Sequence, residues 1–112
     1  MKLTEWQNAV DQWINKYGVR YFGVMTNTLL LNEEVGEFSR LIARQYGEQS
    51  FKSDKTATEV KEDIKDEMGD MIFVITCLAN QMNIDLTEIL KNNLEKKSKR
   101  DHKRHLSNKK LI

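Results

Sequence analysis

Proline is absent from the 112 residues, glycine occurs five times and cysteine once. Without proline nothing interrupts a long helix, and so few glycines argue against a sandwich or barrel stitched by tight turns. The one thiol, Cys77, excludes an intramolecular disulfide. It lies in the apolar run MIFVITCLA, where a buried inert thiol is expected rather than a nucleophile. No apolar run reaches the roughly 18 residues that span a bilayer and no secretory leader is evident, so a cytoplasmic location without a membrane partner is expected. A strong excess of one sign of charge is missing too. The net charge is +1, which by itself calls for no polyanionic partner.

What remains is a chain with 39% hydrophobic and 31% charged residues. That mixture suits amphipathic helices that each bury one stripe, and the length suits one small domain. We read the fold as all-α, of a kind that can need a second copy of itself to complete its core. Charge is unevenly spread: eleven acidic residues fall between Glu33 and Asp70, and nine lysines or arginines between Lys91 and Lys110. An acidic middle suits cations, and a basic end suits phosphates.

Periodicity and capping signals predict four helices. The first spans about 3–15, opened by a capping box Thr4-Glu-Trp-Gln7 and stopped near Gly18. The second spans about 24–45 and ends at Gly47. Residues 47–56, GEQSFKSDKT, lack periodicity and read as a connector. Thr56-Ala-Thr-Glu59 caps a third helix that runs to about Met82, with Asn83 just past its end. Asp85-Leu-Thr-Glu88 caps a fourth that reaches about Lys99. Residues 1–100 form the helical domain, and 101–112 a basic C-terminal tail.

The stretch LLLNEEVGEF, residues 29–38, sets glutamates inside an apolar pattern. With Leu30 as origin and about 100° per residue, Leu41 falls at about 20°, Glu34 at about 40° and Glu37 at about −20°. Two carboxylates are thus bracketed by leucines on an inward face. On the third helix Glu67 and Asp70 likewise interrupt a face made by Val60, Ile64, Met71, Val74 and Leu78, and Asp63 stands close by in angle. Residues three apart have Cβ atoms about 5–6 Å apart, so each pair can aim two carboxylates at one point. If the two helices pack antiparallel, four carboxylates meet and repel unless divalent cations join them. An all-oxygen set suits magnesium, manganese or calcium, and magnesium commonly shares its coordination with substrate phosphates.

These residues resemble the MazG-like all-α nucleoside triphosphate pyrophosphohydrolases, whose signature is EExxE, a spacer, then ExxD. Here the matching stretches are Glu33-Glu34-Val-Gly-Glu37 and Glu67-Met-Gly-Asp70, supported by the apolar run that follows and by NIDL at the start of the fourth helix. The resemblance implies a four-helix MazG-like bundle completed by homodimerisation, as a homodimer or homotetramer. It also implies cleavage of a (deoxy)nucleoside triphosphate between its α and β phosphates. Carried over by position, Glu34, Glu37, Glu67 and Asp70 become ligands of Mg2+, with Mn2+ as a substitute. Glu33 joins the catalytic set by assisting coordination or orienting the attacking water. Because the family's chain start and fourth helix supply nucleotide contacts, Asn93, Lys96 and Arg100 become candidate phosphate binders, with an ordinary solvated face as the alternative, while Trp6, Trp13, Tyr21 and Phe22 are candidates either to stack on a base or to pack as core.

Three rival readings stand beside this one. A ferritin-like di-iron bundle needs Glu-x-x-His pairs, and the chain's two histidines, His102 and His105, sit in the basic tail. A non-enzymatic module binding nucleic acid or an acidic partner would use Lys96 to Arg104, yet no recognised DNA-binding motif precedes that stretch. A phosphoribosyl-ATP pyrophosphohydrolase shares fold and scissile bond and differs in substrate.

Overall fold

The computed structural model describes residues Met1–Ile112. Four helices account for most of it: α1 (Leu3–Trp13), α2 (Val24–Tyr46), α3 (Ala57–Gln81) and α4 (Leu86–Leu106). A π-helical turn, Ile14–Gly18, prolongs α1, and a short 3-10 turn, Lys109–Leu111, follows α4.

Helices α2 and α3 form the long antiparallel pair that organises the molecule. Asn27, near the start of α2, donates to the Gln81 side chain at the end of α3 (2.8 Å), and the centres of the two helices meet further along. Helix α1 packs on the C-terminal half of α3. Val10, Ile14 and Cys77 form the core there, with Trp6, Tyr21 and Phe73 against them. The thiol is buried, as its apolar surroundings in the sequence imply.

Buried polar groups pin this packing. The Trp6 indole N–H donates to the fully buried Thr76 hydroxyl (2.8 Å), which donates to the Ile72 carbonyl (2.7 Å). The Tyr21 phenol donates to Asp11 (2.7 Å) and accepts from Asn80 (3.0 Å), fixing the link between α1 and α2. Burial, followed by the Asp11 contact, pushes the phenol up to about 12.

Several helix ends follow their sequence signals. The Thr56 hydroxyl accepts from the Glu59 N–H (3.1 Å), and the Asp85 carboxylate accepts from the Thr87 N–H (2.9 Å). At the end of α3, Asn83 takes a left-handed conformation (φ 56). The Ile84 N–H then reaches back to the Ala79 carbonyl (2.8 Å), and the Asn83 N–H to that of Asn80 (3.3 Å), which makes a Schellman closure. Gly47 ends α2 because the chain turns hard against it: a Cβ would lie 2.5 Å from the Ala43 carbonyl oxygen.

Three expectations are corrected. Thr4-Gln7 is not a capping box: α1 begins at Leu3, behind Lys2, which makes no side-chain cap. Gln7 instead clamps the turn between α3 and α4. Its amide donates to Asn80 (3.0 Å) and the Ile84 carbonyl (2.9 Å) and accepts from the Leu86 N–H (3.0 Å), so tertiary hydrogen bonds outcompeted the local one. The first rod also passes Asn15, because the π turn carries it to Gly18 before the backbone breaks at Val19 (φ 69). The fourth helix runs to Leu106 rather than stopping near Lys99. Asp101 is held there between Arg100 (3.1 Å) and Arg104 (3.2 Å), and Lys103, Arg104 and His105 suit the negative end of the helix dipole. The arginines hold the Asp101 carboxyl below its ordinary range, and the Ser107 hydroxyl closes the end by donating to the Lys103 carbonyl (2.7 Å).

Much of the surface lacks a partner. A compact chain of this mass exposes about 6,400 Å2; this one exposes 9123 Å2. Its radius of gyration, 17.8 Å, likewise exceeds the roughly 13 Å of a compact domain of this length. Beyond Leu86, α4 exposes Ile89, Leu90 and Leu94. No helix is long and apolar enough to cross a membrane.

Candidate active site

Midway along the seam between α2 and α3, carboxylates converge. Ligand oxygens of Glu34, Glu67 and Asp70 all lie within 4.8 Å of one another. The antiparallel pairing makes this meeting: each helix presents its three-apart acids on the face it turns to the other. Glu34 and Glu67 are half-buried and Asp70 is exposed, so the cluster is covered from inside and open at one side.

The electrostatics are unresolved within the chain. One oxygen of Glu34 and one of Glu67, both Oε2, are buried and accept no hydrogen bond. Leaving such groups unpaired costs on the order of 1–3 kcal/mol each, more if charged. Burial pushes the Glu67 carboxyl up to about 7, with the neighbouring Glu34 and Glu37 adding to it. Burial also raises Glu34, and the charges of Glu37 and Asp70 act in the same direction. A proton retained by the Glu34/Glu67 pair, or a cation between them, removes the conflict. Hard oxygen donors at this spacing fit a divalent cation, and the two orphaned oxygens are what such an ion would satisfy.

The other predicted residues are distributed unevenly. Glu37 stands beside the cluster, its charge felt by both Glu34 and Glu67, but it is exposed and outside the three-oxygen group. Glu33 is exposed and outside that group as well. Asp63 is half-buried and paired with Lys55 (2.5 Å). Asn93, Lys96 and Arg100 are exposed on α4, which packs against α1, and Arg100 is engaged by Asp101. Within one chain they do not share the carboxylate seam.

A cavity flanks the cluster on each side. Toward the start of α2 lies a partly open one of about 290 Å3 with an aromatic wall of Trp13, Tyr21, Phe22 and Phe73, reaching Leu30 and Val74 one turn from Glu34 and Asp70. Three of the four candidate stacking residues meet there, whereas Trp6 is committed to the core. Toward the connector lies a second cavity of about 300 Å3, whose walls include Glu37, Arg40, Arg44, Lys55 and Glu67. Its cations escaped the sequence reading. Arg40 and Arg44 continue the Glu37 face at steps of three and four, a spacing visible in the sequence, but Lys55 comes from an aperiodic loop and was not legible.

Two antiparallel helices that hold a strained acid cluster between an aromatic cavity and an arginine-bearing one fit the class of all-helical, metal-using phosphohydrolases. Within that class the assignment is specific: residues 22–105 match the MazG nucleotide pyrophosphohydrolase domain. The chain belongs to this family and is a hydrolase acting on acid anhydrides of nucleotides. It is 36% identical to the YpjD protein of Bacillus subtilis (strain 168) over 98 residues, covering 88% of this chain and 85% of that protein. It is 28% identical to YvdC of the same organism over 102 residues, covering 89% and 96%. The crystal structure of Bacillus subtilis YpjD superposes with a TM-score of 0.75 at 30% identity, covering 86% of this chain and 94% of that one. That of a Bacillus-conserved MazG protein, described as a nucleotide pyrophosphohydrolase, gives 0.73 at 30% identity, covering 92% and 96%.

Proposed function

We propose that the protein hydrolyses (deoxy)nucleoside triphosphates between the α and β phosphates, releasing a nucleoside monophosphate and pyrophosphate, with magnesium as the working ion and manganese as its substitute. The observation that carries this reading is the pair of buried, unpartnered oxygens on Glu34 and Glu67 facing Asp70. Glu34, Glu67 and Asp70 hold the cation, with Glu37 completing its surroundings from the open side. A bound dication offsets phosphate charge, polarises the phosphoryl oxygens and lowers the pKa of a water.

The chain's own residues do the rest. The oxygen of a water attacks the α-phosphorus, the bond to the bridging oxygen breaks, and pyrophosphate leaves with that oxygen. A carboxylate beside the cluster takes the water's proton. Glu37 is the acceptor in this reading, and Glu33, one residue outside the cluster on α2, is the candidate to orient the water. The aromatic cavity takes the base, where Trp13, Tyr21 and Phe22 supply apolar faces.

The working form is a homodimer or a dimer of dimers in the cytoplasm. The surface exposed beyond that of a compact monomer exceeds the roughly 800 Å2 per partner of a standard interface. Asn93, Lys96 and Arg100 then act as phosphate contacts from α4, a role that association has to create because one chain leaves them apart from the seam. A panel of nucleoside triphosphates incubated with magnesium tests the reading. Stoichiometric pyrophosphate and monophosphate are expected; release of single phosphate, or no turnover of any triphosphate, defeats it.

A further inference from the structure

We propose that Arg40 and Arg44, with Lys55 at the rim, form the subsite for the leaving pyrophosphoryl group, so that the triphosphate lies along the α2–α3 seam with its base toward the α1 end and its terminal phosphates toward the 47–56 connector. The inference rests on the pyrophosphohydrolase reading above and adds the direction of the substrate and the residues that hold its β and γ phosphates.

Order along the seam carries it. Asn27 and Leu30 of α2, with Phe73, Val74 and Cys77 of α3, border the aromatic cavity, which Arg20 also lines. One turn on come Glu34 and Asp70 with Glu67. The next turns, Glu37 to Arg44 on α2 and Glu67 back to Asp63 on α3, border the arginine-bearing cavity of about 300 Å3. Glu37 and Glu67 thus stand at the boundary between the acid cluster and the cations. An apolar chamber, an acid cluster and a chamber that holds two arginines and a lysine follow one another in the sequence of a nucleotide's own parts: base, reacting phosphate, leaving phosphates.

The charges inside the second cavity are mixed, and its two arginines stand without partners. Its walls carry Arg40, Arg44 and Lys55 against Glu37, Asp63, Asp66 and Glu67. Of these, Lys55 is tied to Asp63, Glu67 belongs to the acid cluster, and Glu37 and Asp66 make no ion pair. Neither Arg40 nor Arg44 has a carboxylate within 4.0 Å or any side-chain hydrogen bond, so two guanidiniums face the cavity uncommitted. Arg44 is half-buried, and Arg40 is exposed at the mouth. A guanidinium offers a planar fork of donors that matches two oxygens of one phosphate, and charge-assisted pairs of this kind are the strong ones. The negative charge that grows on the departing pyrophosphate would develop beside them, where stabilisation lowers the barrier as well as the binding free energy.

The test is calorimetric titration of magnesium pyrophosphate, and separately of the four deoxynucleoside monophosphates, into the full chain and the Arg40→Gln/Arg44→Gln variant. The triphosphate panel is run on the same wild-type preparation. Pyrophosphate affinity is expected to fall at least tenfold in the variant while the best monophosphate binds within twofold of wild type. Lysine at the same two positions should recover part of the loss. If the double variant melts early, Arg40→Gln alone, altered at an exposed side chain, carries the measurement with a threefold or greater loss expected. Unchanged pyrophosphate affinity in a folded variant, or equal losses for pyrophosphate and monophosphate, overturns the subsite while a wild type that releases pyrophosphate leaves the proposed reaction standing. A wild type that releases none overturns both.

Discussion

Replacing Glu67 by glutamine should raise the stability of the metal-free protein at alkaline pH. In the fold, burial lifts the Glu67 carboxyl from an ordinary 4.5 to about 7. Between those values the native chain keeps a proton that the unfolded chain has released, so stability falls with rising pH at up to about 1.4 kcal/mol per pH unit. The favourable contribution is complete below 4.5 and lost as pH passes 7. The unscreened limit is about 3 kcal/mol; because the side chain is half-buried beside an exposed Asp70, solvent screening leaves roughly 1–2 kcal/mol. Glu34 is raised for the same reason and adds in the same direction. Asp101, held below 3.8, titrates outside this window. Melting followed by circular dichroism in chelator, at fixed protein concentration, should therefore show wild type losing Tm between pH 5 and 8. Glu67→Gln should hold its Tm there and melt about 5–10 °C above wild type at pH 8, the shift that 1–2 kcal/mol produces in a domain of this size. Magnesium should restore wild type at pH 8 by binding the native state, and do little for the variant. A wild-type Tm flat across this range, or a glutamine variant melting at or below wild type at pH 8, would refute the idea that the cluster is electrostatically strained.

Three further outcomes are expected. Glu34→Gln and Asp70→Asn should keep their helicity and lose at least about a hundredfold in kcat/KM, the scale for removing one charge-stabilising group at a reacting centre; pyrophosphate release near wild-type rates in both would remove them from the mechanism. Thr76→Val should cost about 1–3 kcal/mol in urea unfolding, because the Trp6 indole N–H then loses its partner at 2.8 Å in a buried site. Sedimentation at micromolar concentration should show a dimer or tetramer, and Leu94→Lys on the exposed flank of α4 should shift it toward smaller species if that face is covered by the second copy; a wild type monomeric throughout would exclude association as the source of the missing core.

Much of the molecule can be derived from local rules. The absence of proline, the Thr56 cap, Asn83 past one helix end and Gly47 at another place α2 and α3 within a residue or two, because those signals act through the backbone of their own segment. The acid pairs are equally local: helical period alone puts Glu34 with Glu37 and Glu67 with Asp70, among apolar neighbours. Periodicity could not say that three of those carboxylates, Glu34, Glu67 and Asp70, would converge while Glu37 stayed at the edge, for that depends on the register of one helix against the other. It also could not see that Gln7 would leave its own helix terminus to clamp the α3–α4 turn, that the basic run would extend α4 to Leu106, or that a loop lysine would join two α2 arginines in one cavity. Distances between segments are set by packing, and packing is a property of all the side chains at once; a spacing rule reads one rod at a time.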